Sequence, residues 1–332
     1  MDREPELQFL GFFGIFKESF KILFSWRKIF SQITLTIILP LSFIFLAHIQ
    51  ISQLLFFRIL DNEITLDDTD KNTSYYAKLS HDISSEWTAF WLFKAAYFTF
   101  VLILSLLATS AVVYTIACIY TAKEITFKKV MSVVPRVWKR LILTFLWNFA
   151  VVLVYNVVAG AVIFLWARFI GTNTFGIILI AVLLTLYLVG IVYISVVWHL
   201  ASVVSVLEDA CGIKAMIKSK GLIEGKLGVA VSFFILLSVS FIGIGFVFGI
   251  FVVPAWIPNL GIRVVVGILC CLLLFKLILF GLVVQTVIYF VCKSYHHERI
   301  DKPSLADHLE LYLGKYVPLK WAKDVQLGTL PA

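Results

Sequence analysis

Polar side chains stranded in apolar sequence are where this chain has chemistry to offer. Lys276 stands near the middle of an apolar run covering 264–292. An ammonium group at such depth in a bilayer is costly and usually faces a protein interior or a wet cavity. No Asp or Glu stands deep in any apolar run, so the sequence supplies no countercharge. Either Lys276 holds an anionic lipid headgroup or solute in a central cavity, or it is a tolerated lysine that is locally solvated or snorkels along its helix. Asn148, Asn156, His199 and Gln285 are the other strongly polar residues of the runs. Asn148 and Asn156 lie about two helical turns apart and share one face. They line a cavity or act as hydrogen-bonding contacts between helices.

Other reactive residues carry weaker patterns. His296-His297-Glu298, with His308 further on, suggests a metal. Adjacent histidines point different ways on a helix, however, and no zinc-type Cys/His spacing occurs, so no metal is expected. Cys118, Cys211 and Cys292 stand near proposed membrane interfaces, where S-palmitoylation or an inert buried thiol are the two readings. Glu208-Asp209 is suited to solvating a helix end. Metalloprotease, nucleophile-elbow and phosphate-loop motifs are absent. No catalytic residue, cofactor or enzyme activity is expected.

The elements that hold these residues follow from composition. Of 332 residues 61% are hydrophobic and 14% charged, against about 45–50% and about 25% in soluble domains. Mean hydropathy is +0.98. A soluble enzyme, a nucleic-acid-binding domain and a disordered hub are excluded, and five cysteines spread over this length are not a disulfide scaffold. Six apolar runs cover 29–57, 90–120, 141–169, 175–207, 227–257 and 264–292. Each exceeds the roughly 20 residues a helix needs to cross a bilayer. The expectation is an all-α, six-helix membrane bundle over 29–292, flanked by a cytosolic amphipathic segment at 1–28 and a cytosolic tail at 293–332. Ser304 to Gly314 has the pattern of a short tail helix.

Charge gives the orientation. Lys and Arg gather before the first run, between the second and third, between the fourth and fifth, and after the sixth. Both termini are therefore expected in the cytosol, and the net charge of +8 needs no nucleic acid. The connection 58–89 is expected as an acidic luminal loop, with Asn72-Thr73-Ser74 as a glycosylation acceptor. Trp87, Trp91, Trp166 and Trp256 mark outer boundaries; Trp26 and Trp138 mark inner ones.

The cytosolic connections repeat. Phe127, Val130, Met131, Val134, Val137, Trp138 and Leu141 form one helical face, with basic residues on much of the other, and Pro135 is expected to bend or divide this helix. Similar segments start at Ile213 and Phe16. The even-numbered runs end alike, with Val112-Val113-Tyr114, Val196-Val197-Trp198 and Val287-Ile288-Tyr289. This suggests three tandem units, each an amphipathic surface helix and a helical hairpin; chance likeness among apolar stretches is the alternative. Gly245 and Gly249 form a GxxxG that suits close helix contact, within the chain or between chains.

Two resemblances follow. The stretch Glu208-Asp209-Ala210-Cys211-Gly212, with Ala215, Ser219 and Gly225-Lys226 beyond it, resembles a signature of bacterial multispanning families. These include the membrane domain attached to glycerophosphodiester phosphodiesterases. The catalytic domain has no counterpart here, so the resemblance implies an architecture and no hydrolase activity. Val291-Cys292-Lys293-Ser294-Tyr295-His296-His297-Glu298, then Asp307-His308-Leu309-Glu310 and Tyr316-Val317-Pro318-Leu319, is similar to the C-terminal signature of a plant family of six-span transmembrane proteins. That implies a protein of the plant endomembranes or plasma membrane and carries over no activity.

The leading expectation is a non-enzymatic multi-pass protein that organises lipid or a cytosolic protein partner, its basic surface helices touching an anionic leaflet. The alternative is a carrier or channel for a lipid or small anion, with Lys276, Asn148 and Asn156 in a central cavity. A membrane-embedded lipid enzyme is a third, weaker reading.

Overall fold

The computed structural model describes residues 8–70, 73–121, 125–171, 173–253 and 259–296, without the side chain of Arg136. Asn72, Trp256, His297, Glu298, His308 and the expected tail helix lie outside the described residues. Among the described residues the chain is all-α, with no strand. Helix α1 is Phe12–Ser25 and α2 is Arg27–Asp67. Then come α3 (Ser74–Tyr120), α4 (Phe127–Phe169), α5 (Thr174–Leu207), α6 (Ile213–Ile223), α7 (Leu227–Phe251) and α8 (Leu260–Tyr295). Six of these, α2, α3, α4, α5, α7 and α8, are long and apolar enough to cross a membrane. The chain is an integral membrane protein.

Packing follows chain order. Helix α2 lies along α3, α4 along α5, and α7 along α8, while α3, α5 and α8 each touch the other two. These three central helices bury their C-terminal halves. Val112, Val113 and Tyr114 on α3, Val196 and Val197 on α5, and Val287, Ile288 and Tyr289 on α8 are all buried. The matching positions of the even-numbered runs thus occupy equivalent places in one core. The basic connections surround this end of the bundle, hereafter the basic end; the acidic stretch 58–89 marks the other. Within lipid, apolar burial brings little hydrophobic gain, so the core is held by dispersion and by polar contacts.

Two expectations are corrected. The stretch expected as a loop at 58–89 is helical for most of its length: α2 runs on to Asp67 and α3 starts at Ser74. Ile59, Leu79 and Ile83 are buried along the seam. Arg58 pairs with Glu86 at 2.9 Å, and Trp87 Nε1 donates to Glu63 at 3.0 Å. With 41 and 47 residues, the two helices far exceed the thickness of a hydrocarbon core and form an arm at the acidic end. Pro135 does not divide its helix; α4 is continuous from Phe127 to Phe169. Val130, Val133, Val134 and Val137 are buried on both sides of the proline, so packing holds the turn that lacks one backbone donor. Pro40 is accommodated differently: the turn before it, Thr34–Ile38, widens to a π-helical one, which relieves the clash of the ring with the preceding turn.

Candidate functional site

The densest polar constellation lies at the basic end, where α5 stops. Glu208 ends that helix, and its side chain is only 14% exposed. Its carboxylate accepts from Lys218 Nζ at 2.6 Å, from Lys293 Nζ at 2.8 Å and from Tyr289 OH at 2.5 Å. One side chain thereby joins α5 to α6 and α8. Burial alone would raise the Glu208 pKa. The hydrogen bonds from Lys218, Lys293 and Tyr289, with the charge of Lys293, outweigh it and hold the carboxyl below its ordinary value. Asp209 takes a 2.6 Å ion pair from Arg140, which draws in α4.

The turn that follows is shaped by the same contacts. Gly212 has φ +61°, a left-handed conformation that a side chain disfavours. The Trp147 ring would lie 2.7 Å from an added Cβ. The Gly212 amide donates to Thr144 Oγ1 at 2.8 Å, and Thr144 in turn bonds Ser205 at 2.7 Å. Ala215 is buried, and Ser219 Oγ donates to the Val197 carbonyl at 2.7 Å. At the end of α6, Gly225 has φ +86° and lies under Tyr295, and His296 bonds the Glu224 carbonyl at 3.0 Å. The motif from Glu208 to Lys226 is thus a latch between helices. Both of its carboxylates are paired with basic side chains of neighbouring helices.

The residues expected in a central cavity are not brought together. Lys276 is exposed on α8 and lines neither of the two cavities described below. Asn156 is also exposed; its Oδ1 accepts from Tyr187 OH at 2.9 Å and its Nδ2 donates to the Val152 carbonyl at 2.8 Å. Asn148 is buried, and its Oδ1 has no partner among the described residues. Asn156 and Asn148 share a helix but not an environment, because only the basic half of α4 is covered. Cys118 and Cys292 are buried, and Cys211 is half-buried. Gly243, Gly245 and Gly249 face open space, so the GxxxG makes no close contact among the described residues.

Two intramembrane pairs escaped the sequence reading. Lys94 Nζ donates to His48 Nε2 at 3.0 Å, and the His48 ring stacks on Tyr97. The signal was a lysine in an apolar run with a histidine in the preceding run. The second pair joins His199 and Gln285, 3.0 Å apart. It lies between two cavities. The larger, about 420 Å³, is bounded by α5, α7 and α8; the smaller, about 190 Å³, lies towards α3 and α4. His199, Gln285, Ile278 and Leu282 border both.

Residues 1–330 match the model of a family described as Domain of unknown function (DUF8558). The chain belongs to that family. No curated protein and no solved structure matches it. The match takes in all six long helices together with the Glu208 latch and the His199–Gln285 pair.

Proposed function

We propose that this DUF8558 protein is a non-enzymatic, lipid-organising membrane protein whose basic end lies in the cytosol with both termini. In this reading the chain forms three hairpins, each introduced by an amphipathic segment, in an endomembrane or the plasma membrane. The observation that carries the proposal is the unequal use of those segments. The apolar faces of the first two turns of α4 and of the whole of α6 pack into the bundle, with Val130, Val134, Ala215 and Leu222 buried. Helix α1 buries Ile15, Ser19 and Ile22 and leaves an aromatic face open, with Phe13 84% and Phe24 72% exposed. Lys17, Lys21, Arg27 and Lys28 are exposed beside it. An open aromatic stripe flanked by lysines is suited to insertion among headgroups, and each basic residue near an anionic surface contributes about 1 kcal/mol. A cytosolic protein bound to the same face is the competing occupant.

The test is native mass spectrometry of the full chain released from bilayers of mixed neutral and anionic phospholipid. Anionic lipid should be retained selectively. The combined Lys17→Gln, Lys21→Gln, Arg27→Gln and Lys28→Gln variant should lose that selectivity while its thermal midpoint stays unchanged. Equal retention by both forms would overturn the proposal.

A further inference from the structure

The larger cavity has the chemistry of a binding site. It lies in the basic half of the bundle, between α7 and α8 with α5 behind them, and Ile223 of α6 borders it at the basic end. Its volume of about 420 Å³ falls in the range of ligand pockets. No charged side chain lines it, so a phosphate or carboxylate headgroup would be desolvated there without a counterion. Ile242 stands on its rim and is 68% exposed, which places an entrance on the hydrocarbon side of α7.

The polar groups of the wall are few. His199 Nδ1–H donates to Gln285 Oε1. That bond fixes the tautomer, leaving Nε2 as an acceptor and the Gln285 amide nitrogen as a donor. Neither atom has a protein partner among the described residues. An acceptor nitrogen in an apolar chamber, held in that tautomer by Gln285 on the other side of the ring, matches a neutral group that donates to it, namely a hydroxyl.

We infer that this cavity binds a neutral lipid carrying a free hydroxyl on an apolar body, with the hydroxyl donating to His199 Nε2. A sterol and a diacylglycerol share that chemistry. The inference depends on the chain spanning a membrane and not on the contacts of α1, so failure of the anionic-lipid proposal leaves it standing.

The experiment is photoaffinity labelling of the full chain in detergent micelles, with a diazirine sterol bearing a free hydroxyl in one arm and a diazirine diacylglycerol in the other. Saturable labelling of α7 and α8 peptides is expected in one arm, which identifies the source. The unlabelled parent lipid should compete about tenfold better than its methyl ether, the difference of roughly one hydrogen bond in an apolar site. His199→Phe should weaken labelling by about the same factor. Gly281→Leu, whose side chain would enter the cavity, should abolish it. Labelling that does not saturate in either arm, that maps away from α7 and α8, or that the ether competes for equally would overturn the inference. If either variant fails to fold, the competition on the unmodified chain still decides it.

Discussion

At the basic end α3, α5 and α8 close on one another, and Glu208 ties the close of α5 to α6 and α8. In the acidic half α4 and α5 open, while α2, α7 and α8 keep a small core around Leu46, Phe248 and Leu274. Val154, Val157 and Phe164 on α4 and Ile178 and Leu186 on α5 are exposed. There α2 and α3 continue as a two-helix arm stitched by Arg58–Glu86 and Trp87–Glu63. The difference shows where specificity resides. Apolar side chains facing lipid lose almost nothing by remaining uncovered, so the acidic halves of α4 and α5 need little packing. The basic end must fix the directions of several helices and surface segments at once, and directional polar contacts do this.

The sharpest way to break this contrast is to remove the hub. Glu208→Ala leaves Lys218 and Lys293 beside a vacated, mostly buried position; loss of one partner of such a cluster costs about 3–5 kcal/mol. The thermal midpoint of the detergent-solubilised protein should fall accordingly. Arg58→Ala at the acidic end removes an ion pair whose arginine is 73% exposed and should cost no more than about 1 kcal/mol. Equal losses would show that the two ends are equally constrained. The hub also has a pH signature. Because the folded state holds the Glu208 carboxyl below its ordinary value, its contribution is present in full above the unfolded value of about 4.3. It is lost as the pH falls through the lower folded value. Glu208→Gln should flatten that acid-side loss.

The next effect tests the turn that the hub holds. Gly212→Ala places a side chain in a left-handed conformation and against Trp147, and should cost about 1–3 kcal/mol. Gly221→Ala, two residues before the end of α6 with open space at its Cβ, is the control and should cost nothing. If the two behave alike, Trp147 yields freely and the turn is not under constraint.

Much of this architecture was legible because it is periodic. Run length and hydropathy located all six spans, since the bilayer imposes both. The shared endings from Val112, Val196 and Val287 marked core positions, because three helices that meet at one place must present small β-branched surfaces there. The arm was missed because Ile59, Leu79 and Ile83 are sparse among acidic residues, so the composition resembled a loop while the helical spacing persisted. The site was less legible. Lys276 and Asn156 stood out by type alone, but exposure depends on how far the helices diverge, and no local pattern encodes that. His199 and Gln285 are 86 residues apart, and their pairing arises only when α5 meets α8.

The smallest expected effect refines the account of the open end. Gly243, Gly245 and Gly249 on α7 meet nothing where a Cβ would stand. In an isolated chain, alanine at an uncovered helical glycine removes a backbone-entropy penalty without any clash. Gly245→Ala and Gly249→Ala should therefore each leave stability unchanged or raise it by about 0.5–1 kcal/mol, read as the thermal midpoint at low protein concentration in detergent. The same measurement in bilayers at high protein density discriminates further. If a second chain uses this strip for close backbone contact, the alanines should destabilise the protein there while leaving the dilute sample untouched, and the acidic end would then be an interface between copies. If both samples respond alike, lipid alone covers the strip, and the open end is as simple as its exposed side chains imply.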